Sequence, residues 1–316
     1  MSSSTSDHGH GHDSALPPPR LEEVSPGVYA YIQPDGSWWI NNCGFLTGGG
    51  GVVAVDSCST ERRTRAFLDA IRSVSHRPVR ALVNTHHHGD HTHGNHLFRP
   101  AAVIGHRECR AQVLAFGHPS WEGVFSPIDF GQLEIEAPFV TFDERLDLHV
   151  DDLLVELHYI GTPAHTTNDV VAWIPERKVL FAGDLAFNGG TPFVVMGSVS
   201  GSRAALDRLA AFGAGVVVPG HGDVGGPEVF DGLRRYLEFV QHTAAEGRAA
   251  GLSPLEAARK ADLGPFAGWG DSERIVGNLH RAYAELDGAP PGAPIDLRAA
   301  IGDMVAYNGG PLRCLA

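Results

Sequence analysis

Apolar positions along the chain fall into two recurring blocks. Residues 44–56 read as a strand, a glycine turn at 48–51 and a second strand over Val52–Val55. Residues 61–74 then space Phe67, Ile71 and Val74 three or four apart, which predicts a helix, and Val79–Val83 is a short buried strand. The same order returns later. Val170–Ile174, a turn at 175–177 and a strand at 179–181 predict a hairpin, 202–212 a helix and 216–218 a strand. Each block therefore runs hairpin, aspartate (Asp56 or Asp184), helix, strand, histidine (His86 or His221). Two such halves facing each other give two sheets covered by helices, with polar side chains meeting at the carboxyl ends of the strands.

Between the blocks, 107–116 predicts a helix and 140–160 predicts strands, while 117–138 is rich in Gly, Pro and aromatics. That stretch, with Trp121, Phe125 and Phe130, is a candidate lid. From 227 onward helical patterns dominate. Ser253-Pro-Leu-Glu256 matches a capping box with Pro at the first helical position. Asp271 is expected to cap a helix ending at Gly288, with Ile275, Leu279, Tyr283 and Leu286 on one face; 295–316 reads as a closing helix and tail. The domain reading is thus a disordered His-rich tail over 1–19 (His8, His10, His12), a main domain over 20–226, and a helical extension over 227–316 packed on the same domain.

Composition narrows the function. The 316 residues carry 24 Lys and Arg against 37 Asp and Glu, a net charge of −13, which disfavours a nucleic-acid partner because phosphates need clustered cations. Lys occurs only at Lys178 and Lys260, so there is no polybasic membrane patch, and no apolar run reaches the roughly 18 residues of a membrane span. The first residues lack the positive and apolar regions of an export signal, and the four cysteines (Cys43, Cys58, Cys109, Cys314) form no C-x-x-C pair. A cytoplasmic, reduced protein is the expectation; the sequence leaves a Cys43–Cys58 disulfide open.

The strongest chemical signal is Thr85-His86-His87-His88-Gly89-Asp90-His91, which follows an apolar strand in H-x-H-x-D-H spacing. Imidazoles and a carboxylate converging from a tight turn suit Zn²⁺, and also Fe or Mn. Three later residues also end strands: His165 in Gly-Thr-Pro-Ala-His165, Asp184 in Phe-Ala-Gly-Asp184 and His221 in Val-Pro-Gly-His221. Each alone is more often a turn residue. As an ordered series they read as ligands. His87, His93 and His96 beside the motif are candidates for orienting roles, weighed against ordinary polar positions.

This series resembles the metallo-β-lactamase superfamily over roughly residues 21–226. The resemblance implies an αββα sandwich, here with a C-terminal helical extension. It implies two Zn²⁺ ions, the first on His86, His88 and His165 and the second on Asp90, His91 and His221. Asp184 would bridge them, and the role of Asp56 would be mainly structural. The third motif departs from the pattern, reading Ala-His165-Thr-Thr-Asn-Asp where many hydrolases have Gly-His-Thr-x-Gly. A metal-held hydroxide would attack a carbonyl, with Asp90 as the catalytic group that orients it and moves its proton. No G-x-S-x-G nucleophile is present.

Three functions are weighed. The first is a hydrolase of an ester, thioester, lactone or amide. The apolar residues around Phe187 and 193–196 point it toward a thioester-like apolar substrate, small or carrier-bound. The second is a metal-dependent cyclase. Trp38-Trp39-Ile-Asn-Asn, the run at 86–95 and Gly189-Gly-Thr-Pro resemble the branch that holds aromatic-polyketide cyclase/thioesterases. The third is a metal-stabilised binding module, ranked last because structural zinc sites are closed and four-coordinate. A β-lactamase is disfavoured by Asp184 standing where many such enzymes have Cys, and a nuclease by the charge. A membrane partner is not expected, and a homodimer is compatible.

Overall fold

The computed structural model describes residues 16–316. Most of the expected tail, including its three histidines, lies outside the described residues; Pro17, Pro18 and Pro19 are exposed.

A seven-stranded sheet is laid down first. β1 (Arg20–Ser25), β2 (Val28–Ile32), β3 (Cys43–Gly48) and β4 (Gly51–Val55) pair antiparallel in chain order. β5 (Val79–Val83), β6 (Ala102–His106) and β7 (Val140–Phe142) continue the sheet in parallel. The crossover from β4 to β5 is α1 (Glu61–Val74), capped by the Thr60 side chain, which accepts from Arg63 N. Two short turns come next, α2 (Gly89–Thr92), which includes Asp90 and His91 of the histidine motif, and a 3₁₀ segment at Asn95–Phe98; α3 (Arg107–Phe116) packs beside β6 and β7.

The second sheet has five strands in the order β12-β11-β10-β9-β8. β8 (Arg145–Val150), β9 (Leu153–Tyr159), β10 (Val170–Ile174) and β11 (Val179–Asn188) are antiparallel neighbours, and β12 (Val216–Gly222) lies parallel to β11 after the crossover helix α4 (Val199–Ala211). The chain closes with α5 (Glu228–Ala249), α6 (Pro254–Lys260), α7 (Arg274–Leu286) and α8 (Leu297–Asn308). None of these helices is long and apolar enough to cross a membrane.

Strand alternation sorts the core into layers. Val53 and Val55 of β4 face inward, with Val170, Ala172 and Ile174 of β10, to fill the space between the sheets. Their neighbours Val52 and Ala54 face outward onto Phe67, Leu68 and Ile71 of α1. Val171 and Trp173 face the other way, onto a layer that includes Leu206 and Leu209 of α4, Leu233 and Leu237 of α5, and Ile275 and Leu279 of α7. The result is helices, sheet, sheet, helices, with the helical extension present.

Several expectations shift in detail. β11 and β12 run past residues 181 and 218, because their parallel pairing resumes after a break at Gly183 and carries on to Phe187–His221 and Asn188–Gly222. The helix expected from Asp271 starts at Arg274, since the Asp271 carboxylate pairs with the buried Arg274 guanidinium at 2.8 Å instead of capping. Leu286, at the helix end, is 52% exposed rather than on the buried face. The capping box at Ser253 and Glu256 forms with both hydrogen bonds. Cys43 and Cys58 lie with Sγ atoms 3.5 Å apart but unbonded, the Cys43 thiol donating to Ser57 O.

The last helices are tied into the sandwich by polar groups as well as apolar ones. Arg281, 1% exposed, donates to Val195 O and Ala293 O, and Asn278 donates to Pro192 O while accepting from Val194 N. We propose that 227–316 folds as one unit with 20–226. A chain ending at 226 should then show no cooperative thermal transition, having stripped the cover from Val171, Leu180 and Val217. A cooperative transition near the full-length midpoint would make the extension a separate unit.

Candidate metal centre

Strand ends bring all the ligand candidates to one place. β5 runs into Thr85 and His86, the β9–β10 connection carries His165, β11 carries Asp184 and β12 carries His221. Close approach demands glycine at two of these points. Gly183 has φ +51°, and a Cβ there would lie 2.7 Å from the Thr85 side chain. A Cβ on Gly220 would lie 1.9 Å from Asp184 Oδ1.

Two donor groups result, His86–His88–His165–Asp184 and Asp90–His91–Asp184–His221, each with its ligand atoms within 4.8 Å of one another. Asp184 belongs to both. Its Oδ2 is 3.3 Å from His165 Nε2 and 3.3 Å from His221 Nε2, and its Oδ1 is 3.0 Å from His91 Nε2. Asp90 Oδ2 lies 3.3 Å from His221 Nε2, and His88 turns its Nδ1 to within 2.8 Å of His165 Nε2.

Each imidazole is aimed by a bond on its far side. His91 Nδ1 donates to Asp56 Oδ2 at 2.8 Å, and Asp56 is itself fixed by Thr85 N and Thr85 Oγ1, both at 2.8 Å. His165 Nδ1 donates to Phe193 O at 2.5 Å and His221 Nδ1 to Gly36 O at 2.9 Å. The His91 carbonyl is held by Ser57 and Asn84, and the loop after His165 by Asp169, which accepts from Thr166 N and Oγ1. Asp56 therefore acts on the site directly, as the orienting carboxylate of His91. Ser57, Asn84 and Asp169 were not singled out in the sequence; among them only Asp169, four residues after His165, had a visible signal.

The electrostatics suit cations. Burial alone would raise the Asp184 carboxyl, but His221, His91 and His165 outweigh it and hold the group ionised, well below the usual carboxylate range. Burial, then the neighbouring imidazoles, drives His86 and His88 well below the ordinary imidazole value, leaving them neutral as ligands must be. His221, which burial alone would lower, is pushed up to about 9 by Asp184 and Asp90. Buried His86 Nε2, His91 Nε2 and Asp184 Oδ1 have no hydrogen-bond partner. Divalent ions on the two donor groups satisfy all three atoms, so the residues fit metal.

The other histidines of the motif separate. His96 Nδ1 donates back to His93 O at 3.1 Å, and His96 belongs to neither donor group. His93 stacks on Trp39 at 5.6 Å, and His87 is bonded through Nδ1 to Asn168. Both line the pocket above the ligands, with Trp38, Phe125, Phe193 and Leu312. The candidate lid forms one wall of that pocket. It is held by Ser126 N donating to Leu312 O and Leu312 N to Val124 O, and Trp121, Phe125 and Phe130 pack edge-on to Trp39. Of the apolar residues expected at the mouth, Phe187, Phe193 and Met196 line it, whereas Val194 and Val195 are buried core.

The fold and the paired donor groups define a class, an α/β sandwich with a histidine–aspartate metal centre at its strand ends. A family profile described as the metallo-beta-lactamase superfamily matches residues 36–221, and the chain belongs to that superfamily. The metallo-beta-lactamase of Pontibacter korlensis superposes with a TM-score of 0.59 at 20% identity, covering 70% of this chain and 99% of that one. Among curated relatives, the linear primary-alkylsulfatase of Pseudomonas sp. (strain ATCC 19151) is 25% identical over 78% of this chain and 56% of its own length. The hydroxyacylglutathione hydrolase of Rhodospirillum rubrum is 27% identical over 43% of this chain and 45% of its own. The chain thus spans about half the length of these curated relatives.

Two outcomes test the centre. Because a dication must displace the proton His221 holds below about 9, metal titration at neutral pH should release protons, and apparent affinity should climb as pH rises toward that value. A pH-independent affinity between neutrality and there would contradict this. Asp56→Asn should weaken one ion by about 10- to 100-fold while the other stays bound, read by metal analysis after dialysis against a graded chelator.

Proposed function

We propose that the protein is a dinuclear zinc hydrolase that cleaves acyl bonds at a carbonyl, with apolar thioesters preferred, small or carrier-bound. In this reading His86, His88 and His165 would hold one ion and Asp90, His91 and His221 the other, with Asp184 common to both donor groups. The observation that carries it is the pairing of two donor groups, sharing one carboxylate, with an apolar pocket that opens directly onto them. The pocket wall is mostly apolar and aromatic, the kind of lining that receives an apolar acyl group. Imidazole and carboxylate donors suit zinc, and Fe or Mn as well.

Bound ions supply Lewis acidity and lower the pKa of water from 15.7 toward about 7. The protein does the rest. Asp90, with 14% of its side chain exposed toward the pocket, orients the attacking water and accepts its proton at a carboxylate oxygen. Burial would raise this group, but His91 and His221 hold it below the usual carboxylate range, so it is ionised and can accept a hydrogen bond from the water. The water oxygen bonds to the acyl carbon, the carbon–sulfur bond breaks, and the proton passes from Asp90 to the departing sulfur. No cysteine lines the pocket, so none stands in place to act as a nucleophile there.

The relatives support ester-type chemistry beside apolar groups: one is named for alkyl sulfates, the other for an acyl-glutathione. The aromatic walls favour one second reading, aldol ring closure of a polyketone by the same Lewis-acid site, followed by acyl release.

The test is a panel of acyl-thioesters, lactones and β-lactams on metal-quantified protein. Thioesters with bulky apolar acyl groups should give the highest kcat/KM, and Phe193→Ala should flatten the dependence on acyl size. Asp90→Ala should lose about 100-fold or more at matched metal content. Indifference to acyl size, or a maximum on β-lactams, would defeat the thioester reading. Cyclised product without net hydrolysis would replace it with the second one.

A further inference from the structure

Two adjacent amides, Asn41 and Asn42, follow Trp38-Trp39-Ile40 at the entry to β3. Both are buried, at 0% and 3% exposure, in the first sheet's half of the sandwich. Buried side-chain amides are costly unless their donors are used. These two use theirs on backbone carbonyls from two distant parts of the chain. Each part carries a histidine of the same donor group.

Asn42 reaches across to β12, the edge strand of the second sheet. Its Nδ2 donates to Pro219 O at 3.0 Å and to Gly222 O at 2.6 Å, and its backbone N donates to Gly220 O at 2.6 Å. One residue thus holds the backbone on both sides of His221. Its Oδ1 accepts from Gln33 N at 3.1 Å, which sets the amide with both N–H groups toward the carbonyls. Gly36 O, which receives His221 Nδ1, lies on the same 33–42 loop. Asn41 serves His91. Its Nδ2 donates to Ser57 O at 2.8 Å and to Asn42 O at 3.1 Å, while its Oδ1 has no partner. Ser57 N and Oγ both donate to His91 O at 3.0 Å, and Asp56, one residue earlier, receives His91 Nδ1. Among the described residues, no hydrogen bond of either asparagine reaches His86, His88 or His165.

We infer that Asn41 and Asn42 are positioning residues for one metal site, the donor group of Asp90, His91, Asp184 and His221, and not for the other. Ligand atoms must be held to within about 0.5 Å by the shell behind them, and here that shell is backbone. Without the Asn42 donors, the carbonyls of Pro219 and Gly222 lose a partner each, and the strand end that carries His221 is free to shift. Asn41 fixes the Asp56–Ser57 segment, which holds His91 by its ring and by its carbonyl. The inference goes beyond the acyl-hydrolase reading and is independent of the substrate.

The experiment uses the full chain, labelled with ¹⁵N-histidine and loaded with Zn²⁺. Asn42→Asp keeps the side-chain shape and removes both N–H donors; Asn42→Ser carries the test if the buried carboxylate prevents folding. Retained zinc is measured against a graded chelator. The sites are told apart by the imidazole Nδ1–H signals of His221, bonded to Gly36 O, and His165, bonded to Phe193 O. Either variant should weaken one zinc ion by about 10-fold or more and keep the other. The His221 signal should shift or broaden while the His165 signal stays in place. Asn41→Ser should move the His91 signal in the same way. Ile71→Ala, a truncation at a 2% exposed core position of α1, controls for stability: it should lower the thermal midpoint and leave both ions and all three signals as in the parent chain. Equal weakening of both ions, movement of the His165 signal together with that of His221, or lower stability with ions and signals unchanged overturns the inference. A parent chain that takes up fewer than two zinc ions defeats the dinuclear reading, and this inference is then decided on the His221 and His165 signals alone.

Discussion

One buried carboxylate organises the molecule. Asp184 sits among His91, His165 and His221 at about hydrogen-bond range, and an ionised carboxylate in that position is stable only while positive charge faces it. Protons on His91 and His221 supply that charge in part; ions shared between the two donor groups supply it better. The three histidines come from three separate places in the chain, so the sandwich must close correctly for the carboxylate to be satisfied at all. Close packing around it leaves room only for glycine at two points, Gly183 against Thr85 and Gly220 against Asp184.

The same constraint explains the pseudo-repeat. In each half, a parallel strand pair separated by a helix delivers an aspartate at one strand end and a histidine at the next. The two halves use that geometry differently. Asp56 lies outside both donor groups and binds His91 Nδ1 from behind, whereas Asp184 belongs to both groups. One repeat thus supplies the orienting carboxylate and the other the shared one.

What the sequence made legible follows from this. α1, β5, β10 and α3 lie where periodicity places them, because each is amphipathic or wholly apolar and short. The seven ligand candidates were legible because their spacing follows strand ends. The extension of β11 to Asn188 was not, because Gly183 interrupts the apolar run and hides the continuation. The start of α7 was missed for a similar reason: Asp271 looks like a cap, but its charge is used by Arg274, a partner visible only in three dimensions. The orienting carbonyls of Gly36 and Phe193 carry no side-chain signature, so no reading of residue types reveals them.

The helical extension is coupled to the metal centre by a short physical path. His165 is aimed by the Phe193 carbonyl, and Phe193 lies in a loop whose neighbours on both sides are held by the extension. Asn278 of α7 bonds Pro192 O and Val194 N, and Arg281 grips Val195 O through two nitrogens. Both side chains are buried, and between them they hold the backbone of Pro192, Val194 and Val195. A loop without these anchors would leave His165 free to rotate about its ring axis, and the donor group of His86, His88 and His165 would lose its geometry. α8 then adds Leu297, Ile301 and Met304 to the pocket wall, beside Leu312, which pairs with the strand-like segment at Phe125. The orientation of His165 and the shape of the pocket thus depend on the same helices, so a change in α7 or α8 that reshapes the pocket also acts on the position of His165.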